Sequence, residues 1–221
     1  MSKREITIPD YTKGEEIFNM VSHIVGGAVG IVALTLCVIF AALHGNVYGV
    51  VGSAIYGASM IILYTMSSIY HGLKPELTAK KVFRIIDHCS IFLLIAGTYT
   101  PIVLSPLREY SPALGWTYFG IVWGLAVFGI TITAVNLKCS KVISGICYLL
   151  MGWCIVAAWK PTVAALGIGG IAFLLAGGIS YTIGAGIYYF LKKYRYAHSI
   201  FHLFVLIGSI LQMFAVLFYV V

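Results

Sequence analysis

Long apolar runs broken by short polar punctuation fill this chain from residue 17 to its end. Seven of them approach or exceed the roughly 20 residues that a helix needs to cross the ~30 Å hydrocarbon core of a bilayer: 17–43, 47–73, 82–104, 113–136, 141–160, 162–190 and 197–221. Between them stand HGN at 44–46, KPELTAKK at 74–81, SPLREYSP at 105–112, NLKCSK at 136–141, WKP at 159–161 and KKYRY at 192–196. All are rich in turn formers or charge, and none leaves room for a soluble domain. The pattern predicts an all-α integral membrane protein, with a short polar amino-terminal segment, 1–16, and a single seven-transmembrane helix bundle, 17–221. The first run is too long for a signal-peptide core and lacks a small-residue cleavage site, so it is expected to be retained as a span.

Composition agrees with this reading: 61% hydrophobic against 10% charged residues excludes an ordinary soluble domain. The net charge of +7 raises nucleic acid as a partner, but the basic residues sit in short loops and form no extended patch, so no nucleic-acid role is expected. The same residues orient the bundle. One side holds Lys3, Arg4, Lys13, Lys74, Lys80, Lys81, Arg84, Lys138, Lys141, Lys192, Lys193 and Arg195, which is 12 of the 14. Only Arg108 and Lys160 fall on the other, which predicts a cytoplasmic amino terminus and an outside carboxyl terminus. The five cysteines include no CxxC pair, and four lie in apolar runs, where they read as small buried hydrophobes. The pairs Gly26/Gly30, Gly45/Gly49 and Gly120/Gly124 have the spacing that lets helices pack closely within the chain. GIGGIAFLLAGG lacks the GK[ST] ending of a phosphate loop, and Trp116, Trp159, Tyr194, Tyr196 and Tyr219 fit interfacial anchors.

Ionisable and metal-binding side chains are costly in a bilayer, so the few near these runs are candidates for function. His198 and His202 stand four apart in AHSIFHLF, which places both imidazoles on one helical face. His71 closes the second run with Ser67 one turn deeper on the same face, and Asp87 lies a few residues into the third. The orientation puts all of these at the cytoplasmic ends of three helices. In the first run Glu16, Asn19 and His23 follow an i, i+3, i+7 pattern, a supporting polar cluster at the same depth.

Three imidazoles with an open fourth position make a typical catalytic zinc arrangement, and neutral histidine suits zinc better than calcium or magnesium. Asp87 can ligate directly, accept a proton from a bound water or orient a histidine. Arg84, one turn earlier, offers it a plain structural ion pair instead. HExxH is absent, so a base must come from another helix, and Asp87 is the candidate. His23 is expected to hydrogen-bond within the Glu16 and Asn19 group. His88, about 100° around the helix from Asp87, and His44 in the HGN turn stay outside the metal shell.

Taken together and in order, EIFNMVSH at 16–23, SSIYH at 67–71, RIIDH at 84–88 with GTYTP at 97–101, and HSIFH at 198–202 resemble the haemolysin III family, the bacterial branch of the progestin and adipoQ receptor superfamily. The resemblance implies a seven-helix protein of the bacterial plasma membrane with a zinc ion near the cytoplasmic face. By motif, the implied ligands are His71, His198 and His202, with Asp87 at or beside the metal through water and Ser67 close by. Related adiponectin receptors and alkaline ceramidases imply a membrane-embedded hydrolase of lipid amides. This chain has no long amino-terminal region like that of the animal receptors, so no hormone-binding role is expected.

The leading expectation is zinc-dependent hydrolysis of an amide or ester in a membrane lipid at the inner leaflet. In it Asp87 takes a proton from water and Ser67 helps to stabilise the oxyanion. The alternatives are a membrane-perturbing or pore-forming haemolysin-type protein in which zinc braces the helices, and a lipid sensor or receptor. A pore calls for a continuous polar stripe, yet charged residues are missing from the outer half of the runs. Metal transport calls for a second ligand set on an exit path, which the sequence does not offer.

Overall fold

A computed structural model describes residues 7–135, 137–191 and 193–221, with the helix course alone at 137–142. Lys3, Arg4, Asn136 and Lys192 therefore lie outside the described residues, as do the side chains of Lys138, Cys139 and Lys141. Helices α1 (Lys13–Leu43), α2 (Val47–Gly72), α3 (Thr78–Leu104), α4 (Pro106–Tyr110), α5 (Pro112–Val135), α6 (Leu137–Trp153), α7 (Trp159–Leu191) and α8 (Ala197–Tyr219) follow in order, with a 3-10 segment at Cys154–Ala158 between α6 and α7.

Local chemistry explains where these helices depart from the apolar runs. Thr12 and Glu15 cap the start of α1 reciprocally: the Glu15 amide donates to Thr12 Oγ1 and the Thr12 amide to Glu15 Oε2. This capping box adds a polar turn ahead of the apolar run, so the helix starts at Lys13 rather than 17. α3 likewise takes in the second half of KPELTAKK, which carries Lys80 and Lys81 on helix rather than loop. The expected break at WKP lies inside α7, because Pro161 falls in the first turn, where a missing amide leaves no helical bond unmade. The apolar run expected to end at 160 instead breaks at the 3-10 segment. α7 is interrupted at Gly167, whose φ of 68° and ψ of 173° are not helical.

By length and composition, six segments can cross a membrane: Lys13–Leu43, Val47–Gly72, Thr78–Tyr110, Pro112–Val135, Ile143–Leu191 and Ala197–Tyr219. The described residues contain no strand. The protein is a multi-pass, all-α membrane protein.

Side-chain contacts set the direction of each helix against its neighbours. α1 and α2 run antiparallel, with Gly26 against the Tyr64 ring and Gly57 against Leu34. α2 and α3 are antiparallel through Gly52 against Pro101 and Gly97 against Ser59. α5 runs against α3, with Trp123 donating to Thr100 Oγ1 at 3.1 Å, and against α6, with Thr133 bonded to Ser144 at 2.8 Å. α6 is parallel to α3: Tyr148 donates to the His88 carbonyl and Tyr99 to that of Gly152. α7 opposes α8 through Gln212 to the Leu174 carbonyl and Ser180 to that of Phe204. α8 is parallel to α1, where the Tyr196 amide meets Glu15 Oε1 at 2.7 Å. Tyr196 therefore does more than anchor at an interface, since it also fixes the start of α8.

The bundle has two distinct ends. At one, Asn46 caps α2 through Gly49 and donates to Ser105 Oγ and the Val220 carbonyl, which ties three elements together. The other holds His71, His198 and His202. Between them Tyr64 and Tyr181 share Ser209 Oγ, and Tyr56 reaches the Ser209 carbonyl.

Close packing depends on glycine only at some positions. A Cβ on Gly52 would stand 2.6 Å from Pro101 Cα, a backbone atom that cannot give way, whereas Gly120 and Gly124 face open space. The spacing expectation thus holds for Gly26 and Gly30 and fails for Gly120 and Gly124. Gly45 occupies a turn with φ of 67°. Gly52→Ala is expected to destabilise the fold by about 1–3 kcal/mol through overpacking, read as a lower thermal midpoint in detergent. Gly120→Ala should leave that midpoint level or slightly raised, since alanine favours helix.

Candidate metal centre

The antiparallel seating of α2 on α8 brings the end of one beside the start of the other. His71 sits in the last turn of α2 and His198 and His202 in the first turns of α8. Their Nε2 atoms converge: His198 to His71 is 3.4 Å and His202 to His198 is 3.1 Å. One ligand nitrogen from each of the three lies within 4.8 Å of the others, so the group can hold a metal ion. His71 and His202 are buried and His198 partly so.

Asp87 approaches from α3. Its side chain is 14% accessible and lies within electrostatic reach of His71 and His198, with Ser67 beside it. The Ser67 hydroxyl is buried and stands next to the Asp87 carboxylate, to which it can donate. The alternative of an ion pair with Arg84 is not found among the described residues: Arg84 donates to the Thr7 carbonyl, and Asp87 Oδ2 meets His88 Nδ1 at 3.5 Å. His88 Nδ1 also donates to the Arg84 carbonyl at 2.9 Å, which holds it away from the three histidines.

The amino-terminal cluster divides. Glu16 faces the site, with Oε2 at 2.6 Å from His71 Nδ1 and Oε1 at 2.6 Å from Lys80 Nζ. Asn19 and His23 are buried, and none of their side-chain polar atoms has a hydrogen-bond partner among the described residues. His23 therefore does not bond within the Glu16 and Asn19 group. Its ring stacks on His202 at 3.7 Å and 11° and meets Tyr64 edge-on. Helical spacing placed the three on one face, but the close approach of α8 claims His23 for ring contact.

Three neighbours of the site escape sequence reasoning. Lys80 is wholly buried and Nζ also donates to the Leu73 carbonyl at 2.8 Å. Tyr188 lies 5.2 Å from His198, centroid to centroid. Tyr11, in the segment before α1, stacks on His198 at 5.1 Å and 6° and approaches His71 at 6.0 Å. Burial pushes the Tyr11 phenol above its ordinary pKa, so it stays neutral over the histidines. Residue spacing gave no signal for Tyr11, because the segment is polar and precedes every apolar run.

The Tyr11 ring contacts and the Arg84 bond to the Thr7 carbonyl hold the amino-terminal segment against the histidine end of the bundle. Tyr11→Ala is expected to speed removal of bound metal by a water-soluble chelator, followed as metal released over time. An unchanged rate would show that the ring does not limit access.

Comparison with known proteins finds relatives that match along nearly the whole chain. A family model described as Haemolysin-III related matches residues 11–213, a stretch that contains every histidine named above. Hemolysin-3 of Bacillus cereus is 41% identical over 221 residues, covering 100% of this chain and 98% of that protein. A Hemolysin-3 homolog of Bacillus subtilis (strain 168) is 42% identical over 211 residues, covering 96% and 97%. With the membrane helices and the three-histidine group in place, this chain belongs to the haemolysin III family.

Proposed function

We propose that the chain is a zinc-dependent hydrolase of a membrane lipid amide or ester, working at the cytoplasmic face. The observation that carries this is the convergence of three histidine nitrogens beside a carboxylate and a hydroxyl, inside a protein whose surroundings are lipid. Nitrogens about 2.0–2.1 Å from one tetrahedral zinc stand roughly 3.3–3.4 Å apart. The spacings of 3.1 and 3.4 Å fit that geometry, and a purely imidazole donor set suits zinc better than a hard cation.

A seven-crossing topology with a cytoplasmic amino terminus belongs to the same reading. Segment Ile143–Leu191 has 49 residues, about 74 Å as one helix at ~1.5 Å per residue, more than twice a ~30 Å core. The 3-10 segment, the break at Gly167 and the opposed directions of α6 and α7 support counting it as two crossings. Of the described cations, Lys13, Lys74, Lys80, Lys81, Arg84, Lys193 and Arg195 lie toward the histidine end, and Arg108 and Lys160 toward the Asn46 end. That asymmetry favours the histidine end as cytoplasmic.

His71, His198 and His202 would hold the ion, which would supply Lewis-acid activation of water and of the scissile carbonyl. Asp87 accepts the proton that the attacking water loses and returns it to the leaving group. Ser67 Oγ, beside Asp87, turns its hydrogen bond to the carbonyl oxygen as negative charge develops there. Tyr11 and Tyr188 exclude bulk water from the cytoplasmic side. The test is incubation of the purified chain in lipid nanodiscs with a panel of ester and amide lipids, with released fatty acid read by mass spectrometry. Chelator-sensitive release is expected, and a chain that keeps its zinc yet cleaves no lipid in the panel would overturn the proposal.

The B. cereus relative's name, Hemolysin-3, favours a second reading, membrane lysis. Liposome leakage that persists in His71→Ala and His202→Ala variants would support it over hydrolysis. Against a pore, the hydroxyls of Tyr56, Tyr64 and Tyr181 are spent on Ser209 rather than lining a channel.

A further inference from the structure

Lys80 is a lysine with no exposed surface, and its ammonium is spent within the protein. Such a group is costly to bury unless it is paired and hydrogen-bonded. Its two bonds go to Glu16 Oε1 and to the carbonyl of Leu73, the residue that caps the helix carrying His71. The Tyr70 ring lies under the ammonium at 5.1 Å. Glu16 is thereby held between α1, α2 and α3, and its second oxygen points at His71 Nδ1 from 2.6 Å.

A carboxylate only accepts hydrogen bonds. His71 Nδ1 must then be the donor, and in the neutral ring this leaves the lone pair on Nε2, 3.4 Å from His198 Nε2. A neutral histidine in water prefers the opposite tautomer, with its proton on Nε2. We propose that Lys80 and Glu16 act as one positioning unit that fixes the ring and the tautomer of His71 so that Nε2 faces the metal position. The consequence for metal rests on the proposed zinc site, whereas the tautomer does not. A plain ion-pair staple between α1 and α3 would hold the helices without caring which His71 nitrogen carries the proton.

The experiment uses the full chain, stripped of metal and labelled with nitrogen-15 at histidine, with His71 assigned by the peaks that vanish in His71→Gln. The wild type should show His71 protonated at Nδ1. Glu16→Ala and Lys80→Met should move it to Nε2 or to a mixture, Lys80→Arg should restore it in part, and Glu16→Leu, which also lacks an acceptor, serves if Glu16→Ala fails to fold. In the metal-loaded proteins the two disruptive variants should bind zinc roughly 10–100-fold more weakly, as for loss of an outer-shell partner. The double variant Glu16→Gln/Lys80→Met should lose no more than the worse single change. A wild-type His71 protonated at Nε2, or an Nδ1 proton that persists in both disruptive variants, overturns the inference even if zinc is bound. A tautomer that responds in a wild type that never binds zinc upholds the positioning and sinks the zinc proposal instead.

Discussion

Asp87→Asn is expected to leave the metal bound and to lower lipid hydrolysis by about a hundred- to ten-thousand-fold, the range for losing a positioned general base. Asparagine keeps the shape of the side chain but cannot accept a proton. Asp87 suits that part because it sits beside His71, His198 and Ser67, and among the described residues its ion-pair contact is with His88 at 3.5 Å and not with a lysine or arginine. Arg84, which would have tied it up, is turned toward Thr7. Zinc content and fatty-acid release measured on the same preparation separate the possibilities. Loss of both would make Asp87 a ligand, and retention of both would remove it from the chemistry.

His202→Ala should weaken metal binding by more than the ~100-fold upper figure for losing an outer-shell partner, because it removes a donor atom outright. His202 is 2% exposed, and its Nε2 is 3.1 Å from that of His198. His44→Ala, which changes a ring in the turn at the opposite end of the bundle, should bind as the wild type does. Chelator competition on the two variants checks both halves. Equal affinity of His202→Ala and wild type would remove His202 from the ligand set.

The membrane helices were largely legible because a bilayer demands apolar length, and that demand is written in the sequence. The ends at Leu43, Gly72 and Leu104 lie within a residue of the apolar runs. What the runs do not encode is polar helix: the capped turn before 17 and the Thr78–Lys81 turn depend on hydrogen bonds and partners, not on hydropathy. The 141–160 run hid a change to 3-10 geometry, which an apolar sequence tolerates without a marker.

At the site, the apolar runs put His71, Asp87, His198 and His202 at matching ends of their helices, and the structure gathers them at one end of the bundle. Depth is one coordinate, and which face each helix turns inward is set by packing. Glu16, Asn19 and His23 share a face of α1, yet only Glu16 reaches a ligand histidine through a hydrogen bond, while His23 stacks and Asn19 is left without a partner. Lys80 read as one more cytoplasmic cation because nothing local distinguishes a buried lysine from a loop lysine. Its role depends on Glu16, 64 positions away.

Zinc-edge X-ray absorption on the chain purified without added metal tests the central claim most directly. The account predicts about one zinc per chain with three imidazole nitrogens at ~2.0–2.1 Å, lost in the His71→Ala/His202→Ala double variant. Zinc that is absent from the wild type, or retained unchanged in that variant, would contradict it.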